Sequence, residues 1–513
     1  MAVTKRIAGL VLLAVVAAVL LFLCLRQPAA PGRDVPLVNR PPRIHPEYHD
    51  ITIPPNIAPL NFVVDESGDA YEISLRGAQG KPVIVRSRSG KIVFPPSRWK
   101  KLLAANAGGT LACEVRLRAH DGAWQRFPYF SISVAREQID PYLAYRLLRP
   151  LYNFYTTMGI YQMDLERAVQ TCVLPNESIG RGCVNCHTFA CGDPSKMLLH
   201  VRIPQKPAMI VVRNGRVVRV DTRTSEKSRP GAYSSWHPHR QLVVFSINDL
   251  SLFFHTTGEN RDVFDAESSL SAYDMEANTV TRIAGASLPD RAATWPAWSF
   301  DGQYLYYSSA PRLPKDRFRD VRYDLMRISY DEASGRWGVP ETILSAQAVQ
   351  GSILEPRPSP DGRWVLVTVC NYGNFPIYQQ SSDLYLVDPV SRISRRLECN
   401  SDRCDSFHSW SSNSRWIVFS SKRHDGVFAR PHFAYLDEVG CARPAFVMPQ
   451  QDPAFYDSCL RTYNAPELVR GKITVSAREL AHAAVAPSAG ESLKASASAA
   501  PPAGPGETWQ SPF

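Results

Sequence analysis

The residues with the clearest chemistry in this sequence form a Cys-x-x-Cys-His run. Cys183 and Cys186 stand three positions apart, and His187 follows them directly. Two cysteines at this spacing can form thioether bonds with both vinyl groups of a haem, and the next histidine can bind the iron as its proximal axial ligand. The run therefore predicts one covalently bound haem c.

Three other interpretations of the same run remain open. A structural zinc site needs four ligands, and the sequence has no second Cys-x-x-Cys pair, so His237 and His239 would have to complete it. A thioredoxin-like redox pair would stand at a helix start in a βαβ unit, which the flanking sequence does not indicate. A plain disulfide is the third possibility. Haem is favoured because the N-terminus also carries an export signal.

The sequence nominates the sixth iron ligand less sharply. Met197 lies ten residues after His187 and would give a haem of higher reduction potential, whereas His200 would lower the potential. If residues 197–202 form a strand, the two side chains face opposite sides, so at most one of them serves. A more distant residue such as Met163 or His408, or an open site, is the alternative.

The first 26 residues indicate export. Lys5 and Arg6 precede an uncharged run at residues 7–25, and Arg26 ends it. This run is long enough to span a bilayer and longer than the core of a usual signal peptide. We therefore expect a periplasmic protein anchored to the inner membrane; cleavage near residues 28–30, giving a soluble periplasmic or secreted protein, is the alternative.

The composition is that of a folded protein with two or three domains. The chain has 513 residues, of which 44% are hydrophobic and 21% charged. The net charge of +10 suggests an acidic redox partner protein or an anionic membrane surface. Nucleic acid is not expected, because the chain is predicted to leave the cytoplasm and has no recognisable nucleic-acid-binding motif.

The other cysteines fit an oxidising compartment. Of 11 cysteines, eight remain when Cys24 and the haem pair are set aside. An even number allows disulfides, and three local pairs are plausible. These pairs are Cys399 with Cys404, Cys172 with Cys191, and Cys441 with Cys459. Free buried cysteines are the alternative.

A repeat dominates the second half of the chain. A strand ending in aspartate recurs with spacings of 53, 57, 57 and 49 residues, at Asp221, Asp274, Asp331, Asp388 and Asp437. Between the copies, a tryptophan or proline and a polar turn precede an apolar run, at residues 236–246, 298–308, 358–369 and 410–420. Repeats of this length with several strands predict a β-propeller, here of five to six blades.

Together these signals predict a mainly β chain with six segments. A transmembrane anchor or signal (1–26) and a proline-rich tether (27–57) precede an immunoglobulin-like β-sandwich (58–136) that contains one helical piece at 97–105. A helical linker with the haem motif (137–194) follows, and its residues 141–148 are expected to be helical. The propeller (195–475) is closed by a strand within 465–475, and a disordered tail (476–513) ends the chain.

Two of the repeats resemble those of TolB-like, WD40-type propellers, namely Trp298-Ser299-Phe300-Asp301-Gly302 and Pro358-Ser359-Pro360-Asp361-Gly362. The order of the chain also resembles a family of exported TolB-like propeller proteins that carry a haem-c motif. In that family, segments like 139–146 and 158–162 precede Cys-x-x-Cys-His, and a segment like 193–200 and the propeller follow it. The resemblance covers roughly residues 45–475 and implies this architecture. Members of that family are often described as related to cytochrome c or its biogenesis.

The function predicted from these observations is that of a membrane-anchored periplasmic c-type cytochrome. It would transfer one electron at a time, with the propeller as the docking domain for its partner. No hydrolase, metalloprotease or phosphate-loop motif is present in the sequence, and no catalytic residue is predicted. The alternatives are a non-redox, TolB-like interaction scaffold with structural cysteines, and a haem-dependent oxidoreductase.

Overall fold

A computed structural model describes residues 35–149, 157–203, 206–223, 229–252, 262–486 and 494–495. The chain divides into two compact units, Met1–Arg136 with Pro449–Cys459, and Glu137–Met448 with Leu460–Phe513. Within the described ranges, no helix is long and apolar enough to cross a membrane. The anchor predicted at residues 7–25 lies outside those ranges.

The first unit contains two β-sheets and two helices. The larger sheet contains Ile51–Ile53, Phe130–Val134, Thr110–Arg118, Ala70–Arg76 and Val83–Ser87 in spatial order, with Trp124–Arg126 beside Thr110–Arg118. The smaller sheet contains Ile44–His45, Phe62–Val64 and Lys91–Ile92. The helices are Pro96–Ala105 and Phe455–Ser458. Two of these strands lie before residue 58, so the expected tether is partly built into the unit.

The helix Pro96–Ala105 confirms the helical piece predicted at 97–105. It begins with proline at its first position, where the missing N–H costs nothing, and it buries Trp99 and Leu102. The Trp99 indole donates a hydrogen bond to the Ile57 carbonyl at 3.0 Å. The mainly β character is as expected, and the immunoglobulin-like arrangement of the strands stays a prediction.

The second unit contains six sheets of about four strands. The strands of each sheet are given in order from the innermost, at the channel, to the outermost. Blade 1 is Thr462–Val469, Tyr142–Leu148, Met158–Asp164 and Val169–Pro175; blade 2 is Cys183–Phe189, Met197–Arg202, Ala208–Arg213 and Arg216–Val220; blade 3 is Ser234–Trp236, Leu242–Leu252, Val263–Asp274 and Thr279–Arg282, with Lys494–Ala495 at its edge.

The other three sheets have the same order. Blade 4 is Arg291–Trp298, Tyr304–Pro311, Asp324–Asp331 and then Arg336–Trp337 and Glu341–Leu344; blade 5 is Ser352–Pro358, Val365–Cys370, Asp383–Val387 and Ser394–Arg396; blade 6 is Asp405–Trp410, Trp416–Ser421, Arg430–Tyr435 and Phe446–Val447. Short helices lie between strands, at Asn176–Ile179, Ala190–Gly192, Ala284–Ala286, Lys315–Asp320, Ala346–Val349 and Pro376–Tyr378.

The six sheets form a closed ring. The first strand in each list contacts the first strand of the next blade, and Thr462–Val469 of blade 1 contacts those of both blade 6 and blade 2. Sheets that meet in this way around a central channel form a six-bladed β-propeller. The predicted propeller is confirmed, with the higher of the two expected blade numbers.

The propeller begins earlier in the sequence than expected. It starts at Tyr142 rather than at residue 195, and the helix expected at 141–148 is wrong, because Tyr142–Leu148 is a strand. This strand pairs on one side with Met158–Asp164 and on the other with Thr462–Val469. A short apolar run of leucine, alanine and tyrosine suits a buried helix or a buried strand equally well, and here pairing along both edges decides for the strand.

The end of the propeller is close to the prediction. The closing strand is Thr462–Val469, slightly before the expected 465–475. A helix, Ala477–Val485, then occupies the start of the segment that was expected to be disordered. Ser476 and Glu479 form a capping box that satisfies the first N–H groups of this helix, which explains why it forms. Except for 494–495, the tail after residue 486 lies outside the described residues.

The repeated residues of the propeller shape its turns. Four of the five repeated aspartates, Asp274, Asp331, Asp388 and Asp437, end or follow the third strand of a blade and accept backbone N–H groups of the next turn; Asp274, for example, accepts those of Glu276 and Ala277 at 2.9 Å. Asp221 instead follows the fourth strand of blade 2, so the first copy of the predicted repeat is not equivalent to the others. Ser299 of the Trp-Ser repeat accepts the Tyr304 N–H at 3.0 Å. These bonds fix hairpins, so the repeat is structural.

Candidate functional site

The Cys-x-x-Cys-His run lies on the innermost strand of blade 2, at the channel. The strand Cys183–Phe189 pairs with Met197–Arg202, and its register shifts between Asn185 and Thr188. Cys186 lies at this shift in the left-handed region, with φ 49°. A bulge of this kind re-aims side chains, and it brings Cys186 and His187 to the wall of a channel cavity.

The same bulge recurs around the ring. In four other innermost strands a non-glycine residue has a φ between 48° and 56°. These residues are Trp295, Glu355, Phe407 and Ala465. The backbone at Cys186 is therefore a repeated feature of this propeller, and the side chains placed on it differ from blade to blade.

The five bulges surround one cavity of about 730 Å³, counting the open space at its mouth. Its charged lining residues are Arg146, Glu355 and Arg357. Its aromatic lining residues are Tyr233, Trp295, Phe375 and Phe407. Tyr233 stacks on Trp295 with a centroid distance of 3.4 Å.

His187 has an unusual environment in this cavity. Its side chain is only 4% exposed, yet neither ring nitrogen has a hydrogen-bond partner of acceptable geometry among the described residues. Burial lowers its pKa to about 4, and the nearby Ala144 carbonyl opposes that shift. The imidazole is therefore neutral at physiological pH, with a nitrogen lone pair that no described residue uses.

Both cysteines of the run are free thiols. Cys183 is buried, and Arg146 Nη2 lies 3.4 Å from its Sγ. Burial raises the pKa of Cys186 to about 11, against the opposing charges of Arg202 and Arg146, so this thiol is protonated at neutral pH. The two thiols precede His187 on one strand, and they are not used in a disulfide.

The other described cysteines are free as well. The local disulfides expected for Cys399 with Cys404, Cys172 with Cys191, and Cys441 with Cys459 are therefore wrong for this structure. Even numbers and short spacings permit pairing but do not require it, and the fold buries Cys399 and Cys404 as ordinary small apolar side chains.

Other polar atoms in the same cavity also lack partners. Glu355 accepts hydrogen bonds from the Thr368 hydroxyl (2.9 Å) and the Phe407 N–H (2.7 Å) through Oε2. Its Oε1, together with Asn185 Oδ1 and Arg146 Nε, is buried and unbonded within the described part of the chain. Buried polar groups are normally satisfied, so this cluster indicates a place for a ligand or for ordered water.

The structure brings none of the nominated sixth ligands to this cavity. Met197 is fully buried in the apolar core between blades 1 and 2. His200 is also buried and bonds through Nε2 to the Ser234 hydroxyl at 2.8 Å. His408 is engaged at both ring nitrogens, by the Leu366 carbonyl and the Thr368 hydroxyl. Met163 is buried in blade 1 and is not among the lining residues.

The zinc alternative finds no support. No group of three or more His, Cys, Asp or Glu side chains in the described ranges is placed to hold a metal ion. His237 is instead buried in the turn of blade 3, where its Nδ1 accepts the N–H groups of His239 and Arg240. It stands at the position that Ser299 occupies in blade 4 and likewise bonds the backbone of its turn, so this histidine is structural.

The chemistry of the donor set fits a haem c. Two free thiols at the required sequence spacing precede an imidazole whose nitrogens are unpartnered among the described residues. The cavity beside that imidazole has apolar aromatic walls and the cationic Arg146. The residues that could hold the group are therefore Cys183, Cys186 and His187.

Sequence reasoning missed most of this cavity. Arg146, Glu355, Arg357 and Phe407 come from innermost strands or neighbours in blades 1, 5 and 6, far from the motif in sequence. Only the repeat of the blades could have indicated them, since equivalent positions of successive blades must face one channel.

Comparisons with known proteins assign no family to this chain. No protein-family model matches the sequence, and no curated protein matches it. Among solved structures, a TolB-type protein from Agrobacterium tumefaciens is similar at 16% identity, covering 63% of this chain and 96% of its own, with a TM-score of 0.35. An oligogalacturonate lyase from Vibrio parahaemolyticus is similar at 10% identity, covering 73% and 100%, with a TM-score of 0.30. These scores are too low to support an argument, so the propeller rests on the ring of sheets described above.

Proposed function

We propose that this protein is a c-type cytochrome with one haem attached to Cys183 and Cys186 and bound through His187. The observation that carries the proposal is the imidazole of His187, which is buried in a channel cavity directly after two free thiols and forms no hydrogen bond of acceptable geometry with a described residue. A bound haem c would supply reversible one-electron redox chemistry.

The chain's own residues prepare this site. His187 is held neutral by burial, which leaves a ring nitrogen available as an axial ligand. Trp295 and Phe407, with ring centroids 5.8 Å apart, form an apolar wall that limits water at the site. Arg146 places a positive charge beside Cys183. Its guanidinium can form an ion pair there with an acidic group of a bound ligand.

The cellular setting belongs to the same proposal. The uncharged run at residues 7–25 supports a membrane anchor with the body in the periplasm. The net charge of +10 supports a redox partner with an acidic surface, with the propeller as the docking domain. The nominated ligands Met197 and His200 do not line the cavity, so the sixth ligand remains to be identified spectroscopically.

The decisive test is covalent haem. The full chain is produced in a periplasm with cytochrome c maturation, beside a Cys183→Ala, Cys186→Ala double variant and a Cys172→Ala control that removes an exposed thiol. We expect a haem stain and a reduced-minus-oxidised spectrum from the wild type and the control, and neither from the double variant. A folded wild type without haem would refute the proposal.

One observation favours a second candidate, a non-redox interaction scaffold. The bulge that carries Cys186 recurs at Trp295, Glu355, Phe407 and Ala465, so the fold needs no haem to place a residue there. On this alternative the thiols are structural. The wild type should then show no haem band in its visible spectrum, and the double cysteine variant should be less stable than the wild type.

A further inference from the structure

The channel contains a second cavity, which the proposed cytochrome does not use. Its space is about 720 Å³, counting the open mouth. Along the innermost strands, its lining residues come after those of the first cavity; Trp298 follows Trp295, and Glu467 follows Ala465. The two cavities therefore lie one after the other along the channel. Arg357 lines both of them.

Arg357 is a cation without a described counter-ion. Its guanidinium makes no ion pair or side-chain hydrogen bond with any residue in the described ranges, whereas its backbone carbonyl is fixed by the Trp410 indole N–H at 2.8 Å. An arginine inside a protein is normally paired with a carboxylate or another acceptor. The positive charge is thus held in the channel with its five N–H donors available.

Three carboxyl groups lie near this charge, and none of them pairs with it. Asp140 lines the same cavity and accepts the Ser412 N–H (2.7 Å) and the Ser412 hydroxyl (2.6 Å) instead. Burial raises the pKa of both Glu355 and Glu467 to about 7, even though Arg357 opposes the shift. The Oε1 atom of Glu467 is also engaged elsewhere, by the Thr188 hydroxyl at 3.2 Å and the Phe189 N–H at 3.0 Å. At neutral pH the neighbourhood of Arg357 is therefore more positive than its formal charges suggest.

Two further donors belong to the same cavity. The indole N–H groups of Trp236 and Trp298 are buried and lack an acceptor among the residues described, and both side chains are about 5% exposed. Both tryptophans line this cavity. A guanidinium and two unsatisfied indole donors around one space form a site for an anion.

We propose that this second cavity binds the carboxylate of a small organic acid, with Arg357 as its ion-pair partner. The planar guanidinium matches a carboxylate through two parallel hydrogen bonds, and the two indole N–H groups are further donors around the same space. A phosphate dianion fits less well, because Arg357 is the one cationic side chain among the described lining residues and Asp140 lines the same cavity. The site shares Arg357 with the first cavity and uses none of Cys183, Cys186 and His187.

The test measures the binding of three probes to the full chain by calorimetry and tryptophan fluorescence. Benzoate supplies a planar carboxylate, benzamide is its neutral analogue of the same shape, and inorganic phosphate is the competing anion. We expect saturable binding of benzoate, with benzamide and phosphate at least about tenfold weaker, because a hydrogen bond to a charged group is worth about a tenfold or larger change in affinity. Equal binding of benzoate and benzamide, or tighter binding of phosphate, would overturn the proposal.

Variants locate the site. Arg357→Gln should weaken benzoate binding at least about tenfold, whereas Arg363→Gln, an exposed arginine in the adjacent hairpin, should leave it unchanged. Trp298→Phe keeps the ring packed on Trp337 and removes only the indole N–H, so it should weaken benzoate severalfold even if Arg357→Gln does not fold. If Arg357→Gln folds and binds benzoate as tightly as the wild type, the assignment is refuted. If Arg357→Gln does not fold, unchanged benzoate affinity in Trp298→Phe refutes it.

Discussion

Glu355 provides a direct test of the charges in the channel. Its side chain is buried, and burial raises its pKa from the ordinary 4.5 to about 7. In the folded protein the carboxyl keeps its proton up to about pH 7, whereas in the unfolded chain it loses the proton near pH 4.5. Between these values the unfolded state binds fewer protons, so the free energy of unfolding falls as the pH rises.

The magnitude follows from the two pKa values. A shift of one pKa unit is worth about 1.4 kcal/mol, so Glu355 should cost about 2.5 kcal/mol of stability between pH 5 and pH 8. Glu355→Gln keeps the shape of the neutral carboxyl and cannot ionise. Relative to the wild type, we therefore expect this variant to gain about 2.5 kcal/mol between the two pH values.

The assay is urea unfolding at pH 5 and pH 8, followed by tryptophan fluorescence, because most tryptophans belong to the propeller. Glu438→Gln is the matched control, since the Glu438 side chain is 86% exposed, and its difference from the wild type should not change with pH. If Glu355→Gln shows no gain between pH 5 and pH 8, Glu355 is already ionised in the folded protein, and the reasoning about the positive field at Arg357 fails with it.

Three further predictions concern other parts of the propeller. Burial lowers the pKa of His200 to about 3, so only the unfolded chain gains a proton at this residue between pH 7 and pH 5. The free energy of unfolding of the wild type should therefore fall by about 2 kcal/mol relative to that of His200→Gln over this range, and equal pH profiles would contradict this. In urea unfolding, Gly302→Ala should lower the stability of the protein more than Gly362→Ala does. Both glycines have φ near 72°, but only at Gly302 would a Cβ atom lie within 3 Å of His237. Equal losses of stability would argue against that close approach. Ser476→Ala should weaken the helix Ala477–Val485 by about 1 kcal/mol, seen as faster amide exchange there and nowhere else.

The sequence predicts the ring of blades well because each blade repeats the same turn chemistry. Asp274 and Ser299 occur at fixed places because their side chains bond the backbone of hairpins that every blade needs. Local bonds of this kind leave a periodic trace in the sequence. The turn before residues 242–246 departs from this pattern, since His237 stands where the turns of blades 4 to 6 have a serine.

The parts that the sequence could not predict depend on distant partners. The strand Tyr142–Leu148 is defined by pairing with the end of the propeller, and its own residues suit a helix as well. The cavity likewise joins Arg146, Glu355 and His187 from separate blades. The spacing within the motif predicts that its two thiols and its imidazole act together. The charges around them and the burial of Met197 depend on how the ring of blades closes.

The joining of the two ends of the propeller in blade 1 has a consequence for biosynthesis. The strand Thr462–Val469 contacts the strand that carries Cys183, Cys186 and His187. The ribosome makes Thr462–Val469 after all the intervening blades. The strand that carries the motif therefore lacks this neighbour until the end of synthesis. Reagents that modify the two thiols would therefore meet them most easily before the ring is closed, and a truncation that ends before residue 462 should leave them permanently accessible.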